Sequence, residues 1–369
     1  YLGANLMSRQ SELAELSRIY DSSALSNRNL IINGGKTIDQ RQSGSSVNLS
    51  ATPAFVADRF GARLGTSSSS TGQQVADAPD GFYNSFKLTI GTGATAASNV
   101  GTNYYYTILE GLNTSHLNFG SSAAKTVTLS FYVKSSLTGT FGVTLGNYAL
   151  NRSFPSSYTI NSASTWERKT ITITGDTSGT WLTTNSGSFY MLWDLGCGSD
   201  FKGTANTWAG SDYRGGATGT ASICATSGAT WQITGVQLEI GDSATPFEHR
   251  SYSDELLRCQ RYFYALLRRD MNEDQQIGSY YSTTRAFINV PHKVTMRTAP
   301  TISVVGSVGA DIYSAGAAIS TTTLANSYPR FESTGLDFTP ASSGTAGNAF
   351  HLDWTITAST SYIQANAEL

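Results

Sequence analysis

Residues Lys125–Lys134 read Lys-Thr-Val-Thr-Leu-Ser-Phe-Tyr-Val-Lys, and that alternation leaves few folds open to the chain. Successive side chains of an extended strand point to opposite faces, so the period of two puts Val127, Leu129, Phe131 and Val133 on one face and leaves the threonines in water. Runs of the same kind recur at Phe82–Ile90, Tyr104–Leu109, Thr140–Leu145, Arg168–Thr174, Ser188–Leu195 and Thr230–Ile240, with glycine-bearing turns such as Leu137–Thr140 and Gly175–Gly179 between them. Half-buried strands must pair their apolar faces, and two antiparallel sheets in a jelly-roll-like sandwich do so economically. Composition agrees: charged residues are 14%, against about 25% in an average globular protein. With 19 Tyr and 16 Phe the chain does not have the composition of a disordered one.

In the front half, residues 5–20 carry the helical signal, with Leu6, Leu13 and Tyr20 seven apart and Leu16 at the complementary heptad position. Residues 1–26 are therefore expected to be a helical neck. It is either a trimeric coiled coil or an amphipathic helix lying on its own sandwich, since Arg9 stands where a strict seam carries an apolar residue. A length of 369 residues accommodates two further domains. The second is expected to open near Ser253 as a capped helical turn that runs on into an aromatic strand, followed by strands within Ser279–Val290, Thr301–Val305, Ala310–Tyr313, Phe331–Phe338 and His351–Ile363. The expected fold class is thus mostly β: a short N-terminal helix, then two antiparallel β-sandwich domains over 27–252 and 253–369.

Two phrases bracket the first of these domains. Asn27–Gly35 carries Asn-Leu-Ile-Ile-Asn-Gly-Gly, and Trp231–Gly241 with Pro246–Arg250 carries Thr-Gly-Val-Gln-Leu-Glu and then Pro-Phe-Glu-His-Arg. Each strand-like run is stopped by glycine, which is expected of the first and last strands of one sandwich. In this order they resemble the opening and closing phrases of a carbohydrate-binding-module-like β-sandwich found in bacteriophage tail fibres and other virion adhesins, over residues 27 to about 262. Cys259–Tyr264, Met296–Thr301 and Ala365–Leu369 likewise resemble the distal module of phage tail fibres. The resemblance implies a receptor-binding protein of the virion tail, extracellular after release from the host cell. It implies host surface polysaccharide or lipopolysaccharide and other virion tail proteins as partners, and a homotrimer. It implies too a place for a structural Ca²⁺ near Asn33 and Glu239, although Lys36 stands where such modules often supply an acid. Two other classes stay open: a structural virion protein that uses the sandwich for assembly, such as a head fibre, decoration protein or connector, and a glycan depolymerase.

Catalytic patterns are not apparent. Asp77 and Asp80 are the nearest carboxylate pair, yet Asp-Ala-Pro-Asp-Gly is also what a plain turn looks like. No Gly-x-Ser-x-Gly elbow occurs, and His116, His249, His292 and His351 lack metal-ligand spacing. The expected protein is a non-catalytic binder with no cofactor, a structural calcium being the alternative that the resemblance leaves open. Sugar recognition combines flat rings with short polar groups, which directs attention to the long loop Gly203–Gly216 and its Trp208, Asp212, Tyr213 and Arg214. Trp181 and Asn185 form a second candidate contact, with a folded-down plug the alternative for a loop tryptophan, whereas Trp193 and Trp231 lie in strand patterns and are expected in the core. Cys197 and Cys224 lie in loops that could meet as a disulfide or remain buried thiols, and Cys259 is expected to pack as a small apolar residue. A net charge of −2 without a basic run argues against nucleic acid. No apolar stretch approaches the ~20 residues of a membrane span. The chain begins at Tyr1, which suggests the end of a longer polypeptide.

Overall fold

The computed structural model describes residues 27–268, 275–306, 308–314, 317–356 and 362–369, and the helix expected over 5–20 lies outside them. The chain divides into two units. One takes in Gly44–Arg250 with the segment ending at Asp39, the other Ser251–Leu369 with Gln40–Ser43. Among the described residues no helix is long and apolar enough to cross a membrane.

The first unit contains β1 (Val47–Leu49), β2 (Ala54–Ala57), β3 (Phe60–Leu64), β4 (Ser70–Val75), β5 (Ser85–Thr89), β6 (Asn103–Glu110), β7 (Val127–Ser135), β8 (Gly139–Asn147), β9 (Ser153–Ile160), β10 (Glu167–Ile173), β11 (Gly187–Asp194) and β12 (Thr230–Ile240). They form two six-stranded sheets, β1-β4-β5-β12-β7-β10 and β2-β3-β6-β11-β8-β9, whose apolar faces share one core. The alternating runs of the sequence are β5 to β8 and β10 to β12. The three-residue β1, the Ser- and Gln-containing β4 and the Ser-rich β9 had no such signal, because their place in the sheets comes from ladder bonds to neighbours. At the centre the Tyr105 ring lies between Phe86, at 4.3 Å, and Phe60, at 5.4 Å, with both planes within 15° of its own. Trp193 and Trp231 close on this stack and are fully buried, as their strand positions implied.

Val127, Leu129, Phe131 and Val133 point into that core. Thr128 on the opposite face is not wet, however: it is buried, and its hydroxyl donates to the Gly241 carbonyl at 2.8 Å. The chain after β12 folds back over the outer face of this sheet and covers it.

The opening phrase is not a strand. Arg28–Ile31 runs without a ladder and Ile32–Gly35 is a turn, joined to β12 by single bonds, Leu30 N–H to Leu238 O and Gly34 O from Val236 N–H. β12 is bulged between Thr234 and Gln237, which breaks the register a ladder would need. Side chains stitch the phrases together instead. Asn29 Nδ2 donates to Val236 O while its Oδ1 accepts from Ile31 and Leu238 N–H. Glu248 accepts from the N–H groups of Arg28 and Asn29, and the Arg250 guanidinium donates back to the carbonyls of Asn29 and Ile31.

In the second unit a helix, Tyr252–Gln260, is capped two residues earlier than expected, by Ser251, whose hydroxyl accepts from Asp254 N–H at 3.2 Å. It leads into β13 (Phe263–Arg268), which joins β21 (Tyr362–Asn366) and β16 (Thr301–Val305) in a three-stranded sheet. The expected single run Ser279–Val290 is a hairpin of β14 (Gln275–Ser282) and β15 (Arg285–Pro291), and His351–Ile363 contains the end of β20 (Ala349–Ile356) and the start of β21. With β17 (Val308–Ser314), β18 (Ala317–Pro329) and β19 (Ser333–Pro340) these close a six-stranded antiparallel sheet on itself in the order β14-β15-β19-β18-β17-β20. The three phrases that resemble a distal fibre module converge: Arg297 N–H donates to Arg261 O, Ala367 N–H to Tyr262 O, and Arg297 Nε to Ala367 O. Gln40 belongs to the same knot, donating to Phe263 O at 2.9 Å.

Two buried hydroxyls of the first core behave oppositely. Trp231 Nε1 donates to the Tyr158 hydroxyl at 3.1 Å, whereas the Tyr105 hydroxyl has no hydrogen-bond partner among the described residues. Tyr158→Phe strands the indole N–H and is expected to cost about 1–3 kcal/mol in urea unfolding, while Tyr105→Phe is expected to be neutral or stabilising.

Candidate functional site

The register of the second sheet decides which residues its outer face carries. Tyr105 points inward, so Tyr104 and Tyr106 of the same strand point outward. Across the sheet Arg63 lies beside Tyr104 and Tyr104 beside Asp194; Gly61 lies beside Tyr106 and Tyr106 beside Leu192; Ile108 lies beside Tyr190. Tyr106 packs edge-on to Tyr104 at 5.6 Å, and Tyr190 lies 5.9 Å from Tyr106. Tyr148, just beyond β8, stacks parallel to Tyr190 at 5.6 Å and is 40% exposed. Two glycines make room for these rings: a Cβ on Gly61 would fall 2.5 Å from the Tyr106 ring, and one on Gly187 would fall 2.4 Å from Tyr148.

The long segment between β11 and β12 lies over the other half of this face. Asn206 N–H bonds to Pro155 O, Ala209 pairs with Ser153, Ala217 N–H bonds to Ser156 O, and the Thr144 hydroxyl donates to Tyr213 O at 2.7 Å. One buried ion pair pins the segment. Asp194, fully buried, accepts from Lys202 Nζ at 2.9 Å and from the N–H groups of Gly196 and Cys197. Burial pushes the Asp194 carboxyl up, and Lys202 and those N–H groups oppose the shift. Lys202 is satisfied further by Thr220.

The six residues singled out in the sequence separate into three groups. Asp212 and Arg214 form a bidentate pair at the edge of the tyrosine face, with the guanidinium 5.7 Å over Tyr104 and 5.4 Å over Phe201. Tyr213 between them is half-buried and holds the segment through its carbonyl. Trp181 and Trp208 instead close one end of the core with Phe119, Phe154 and Phe189. Trp181 is 8% exposed and donates to Ser178 O, so its assignment as a sugar-stacking ring is corrected: it is a core residue. Trp208 is half-buried and bonded to Thr174 O at 2.7 Å, the folded-down plug that was the alternative for it. Asn185 is half-buried two residues before Gly187, on which the Tyr148 ring lies. The sequence placed Tyr104–Leu109 in a strand but did not show that the buried rings of Tyr104 and Tyr106 underlie the more exposed Tyr148 and Tyr190 on one face of the sheet. The alternation of Tyr104-Tyr105-Tyr106 was the available signal.

The tyrosine face has a defined electrostatic character. Burial pushes the Tyr190 hydroxyl up to about 12, the Tyr104 and Tyr148 hydroxyls add to this, and Arg214 and Arg63 act against it. Elsewhere, the proposed carboxylate pair is not arranged as acid and base. The Asp77 carboxyl is lowered chiefly by its bond to Lys134 and also accepts from Trp166 Nε1, and Pro79–Phe82 closes a turn through Phe82 N–H to Pro79 O. Cys197 and Cys224 are free buried thiols rather than a disulfide, as is Cys259, and burial raises the first two, Cys224 to about 12. Near the expected calcium position, Asn33 and Glu239 are engaged with backbone and side-chain partners. The buried Lys36 ammonium sits 3.2 Å from Gly34 O and 3.2 Å above the Phe60 ring. Among the described residues no group of His, Cys, Asp and Glu is arranged to hold a metal ion.

No protein-family model matches the chain, and no curated protein matches it in sequence. Among solved structures the chain is similar to the enzymatically active domain of tailspike protein 4 from bacteriophage CBA120, with 12% identity and a TM-score of 0.30 over 58% of this chain and 22% of that one. The chain thus spans less than a quarter of that tailspike's length. It is also similar to the carbohydrate-binding module CBM4, with 13% identity and a TM-score of 0.29 over 57% of this chain and 98% of that one. A third likeness is to the family 11 carbohydrate-binding module from Clostridium thermocellum, with 14% identity and a TM-score of 0.26 over 55% and 98% of the two chains.

Lys202→Met leaves a buried carboxylate without its cation and is expected to cost about 3–5 kcal/mol in urea unfolding. Limited proteolysis is expected to show faster cleavage within residues 198–220, with part of the loss recovered by adding Asp194→Asn.

Proposed function

We propose that this chain is a non-catalytic, glycan-binding adhesin of the phage tail-fibre kind, and that the outer tyrosine face of its first unit contacts the sugar. The observation that carries the reading is the parallel-stacked pair of the exposed Tyr148 and the half-buried Tyr190, which rests on the buried Tyr104 and Tyr106 and has Arg63, Arg214 and Asp212 beside it. Pyranose C–H faces stack on such rings, and sugar hydroxyls find donors and acceptors in the phenols, guanidinium groups and carboxylate at their edge. Placement on the virion tail, with other tail proteins as partners, rests on the resemblance of residues 27–35 and 231–250 to tail-fibre phrases. Those phrases are bound to each other by Asn29, Glu248 and Arg250 and support the sandwich rather than the site.

In this reading the adhesin is a homotrimer on the outside of the particle. Three weak sites on one fibre raise avidity through effective concentration without any new contact. Host polysaccharide or lipopolysaccharide would then inhibit phage adsorption, whereas a purely structural virion protein would leave adsorption unaffected by added polysaccharide. Release of reducing ends from host glycan would instead show a depolymerase.

Tyr190→Ala and Tyr148→Ala are each expected to weaken binding to a host-glycan array by about tenfold, equivalent to about 1.4 kcal/mol, with little change in melting temperature for the exposed Tyr148. Unchanged affinity in both would remove the face from recognition. Trp208→Ala is expected to act on the fold instead, lowering stability by about 3 kcal/mol.

A further inference from the structure

Building on the glycan-binding reading of the tyrosine face, we propose that its ligand is an anionic saccharide whose carboxylate or phosphate group is read by Arg63. The argument is one of charge matching around a fixed set of rings. Of the cations that border the outer face of this sheet, Lys202 is paired with the buried Asp194, Arg214 is paired with Asp212, and the buried Arg59 donates to the Ile108 carbonyl. Arg63 differs. Its Nε donates to the Ala51 carbonyl at 2.5 Å, and among the described residues no carboxylate pairs with it.

That anchor orients the side chain and leaves the guanidinium edge to other partners. Register holds Arg63 directly beside Tyr104 on the same face, and its charge acts on the Tyr190 hydroxyl together with that of Arg214. A half-buried guanidinium held by one carbonyl, next to phenol groups that donate hydrogen bonds, suits an oxyanion better than a neutral hydroxyl. Neutral sugars would satisfy the rings but leave the unmatched cation beside them without a counter-charge. The chain as a whole is slightly acidic, with a net charge of −2, so the excess positive charge on this face is local.

The test uses the full chain and immobilised polymers of known charge. Alginate, polygalacturonate, hyaluronan and polysialic acid supply carboxylates, a teichoic acid supplies phosphate, and carboxyl-reduced forms of the first four with xylan and dextran supply neutral counterparts. The expected result is binding of at least one anionic polymer, loss of about tenfold or more on carboxyl reduction or in Arg63→Gln, and a smaller loss in Arg63→Lys, which keeps the charge without the planar fork. Added NaCl should weaken the wild type and have little effect on Arg63→Gln. A preference for uronate or sialate polymers over teichoic acid would identify the anion as carboxylate, and the reverse as phosphate. Equal binding of native and carboxyl-reduced polymers, or undiminished binding of the anionic polymer by Arg63→Gln, would overturn the assignment while leaving glycan binding intact. Absence of binding to every polymer, with Tyr190→Ala indistinguishable from wild type, would overturn the glycan-binding reading as well.

Discussion

The inward face of β6 holds the first unit together, and its outward face makes the candidate site, through one constraint: neighbouring side chains on a strand cannot share a face. Tyr105 enters the core between Phe60 and Phe86, so Tyr104 and Tyr106 are obliged to stand outside. β11 repeats the arrangement, with Trp193 and Met191 facing the core between the sheets and Tyr190 and the buried Leu192 on the opposite face. Sliding either strand by one residue would exchange the core aromatics and the phenols between the two faces of the sheet. The packing that stabilises the sandwich therefore also sets the spacing of the rings on its surface.

Three polar devices finish what the ladders leave undone. Asn29, Glu248 and Arg250 tie the opening segment to the chain beyond β12, where a bulge prevents a regular strand. Asp194 and Lys202 hold the long segment before β12 against half of the outer face, which limits the tyrosine surface to the other half. Lys36 places an ammonium on backbone carbonyls and over the Phe60 ring, at the opening turn where the resemblance left room for a calcium ion. Each device centres on a buried side chain, Asn29, Asp194 or Lys36, and each works by giving main-chain groups the partners that a regular strand would have supplied.

Strands were legible where apolar residues alternated over a long run, as in β7, and illegible where the strand is short, as in β1 and β3, or where polar residues filled positions stabilised by ladder neighbours, as in β4 and β9. The helix after Arg250 was legible from its composition, but its cap was not, because Ser251 and Ser253 are chemically equal candidates and backbone geometry selects between them. The candidate site was half legible. Asp212 and Arg214 were found because polar residues in a long loop stand out, and they do border the face. Trp181 and Trp208 misled for the same reason: loop position was read as exposure, whereas the end of the sandwich needed large rings to close it.

Period and composition by themselves determined that this chain is a mostly β protein with antiparallel sheets, and that Trp193 and Trp231 are core, since a period of two assigns faces before any partner is known. Which outward residues become neighbours was decided only by the tertiary structure. Tyr104 and Tyr106 meet Tyr190 through the pairing of β6 with β11, Tyr148 arrives from the end of β8, and Arg63 from β3. The physical reason is that register between strands far apart in the chain follows from the fit of both sheets around one core, a sum over many contacts that no local segment contains.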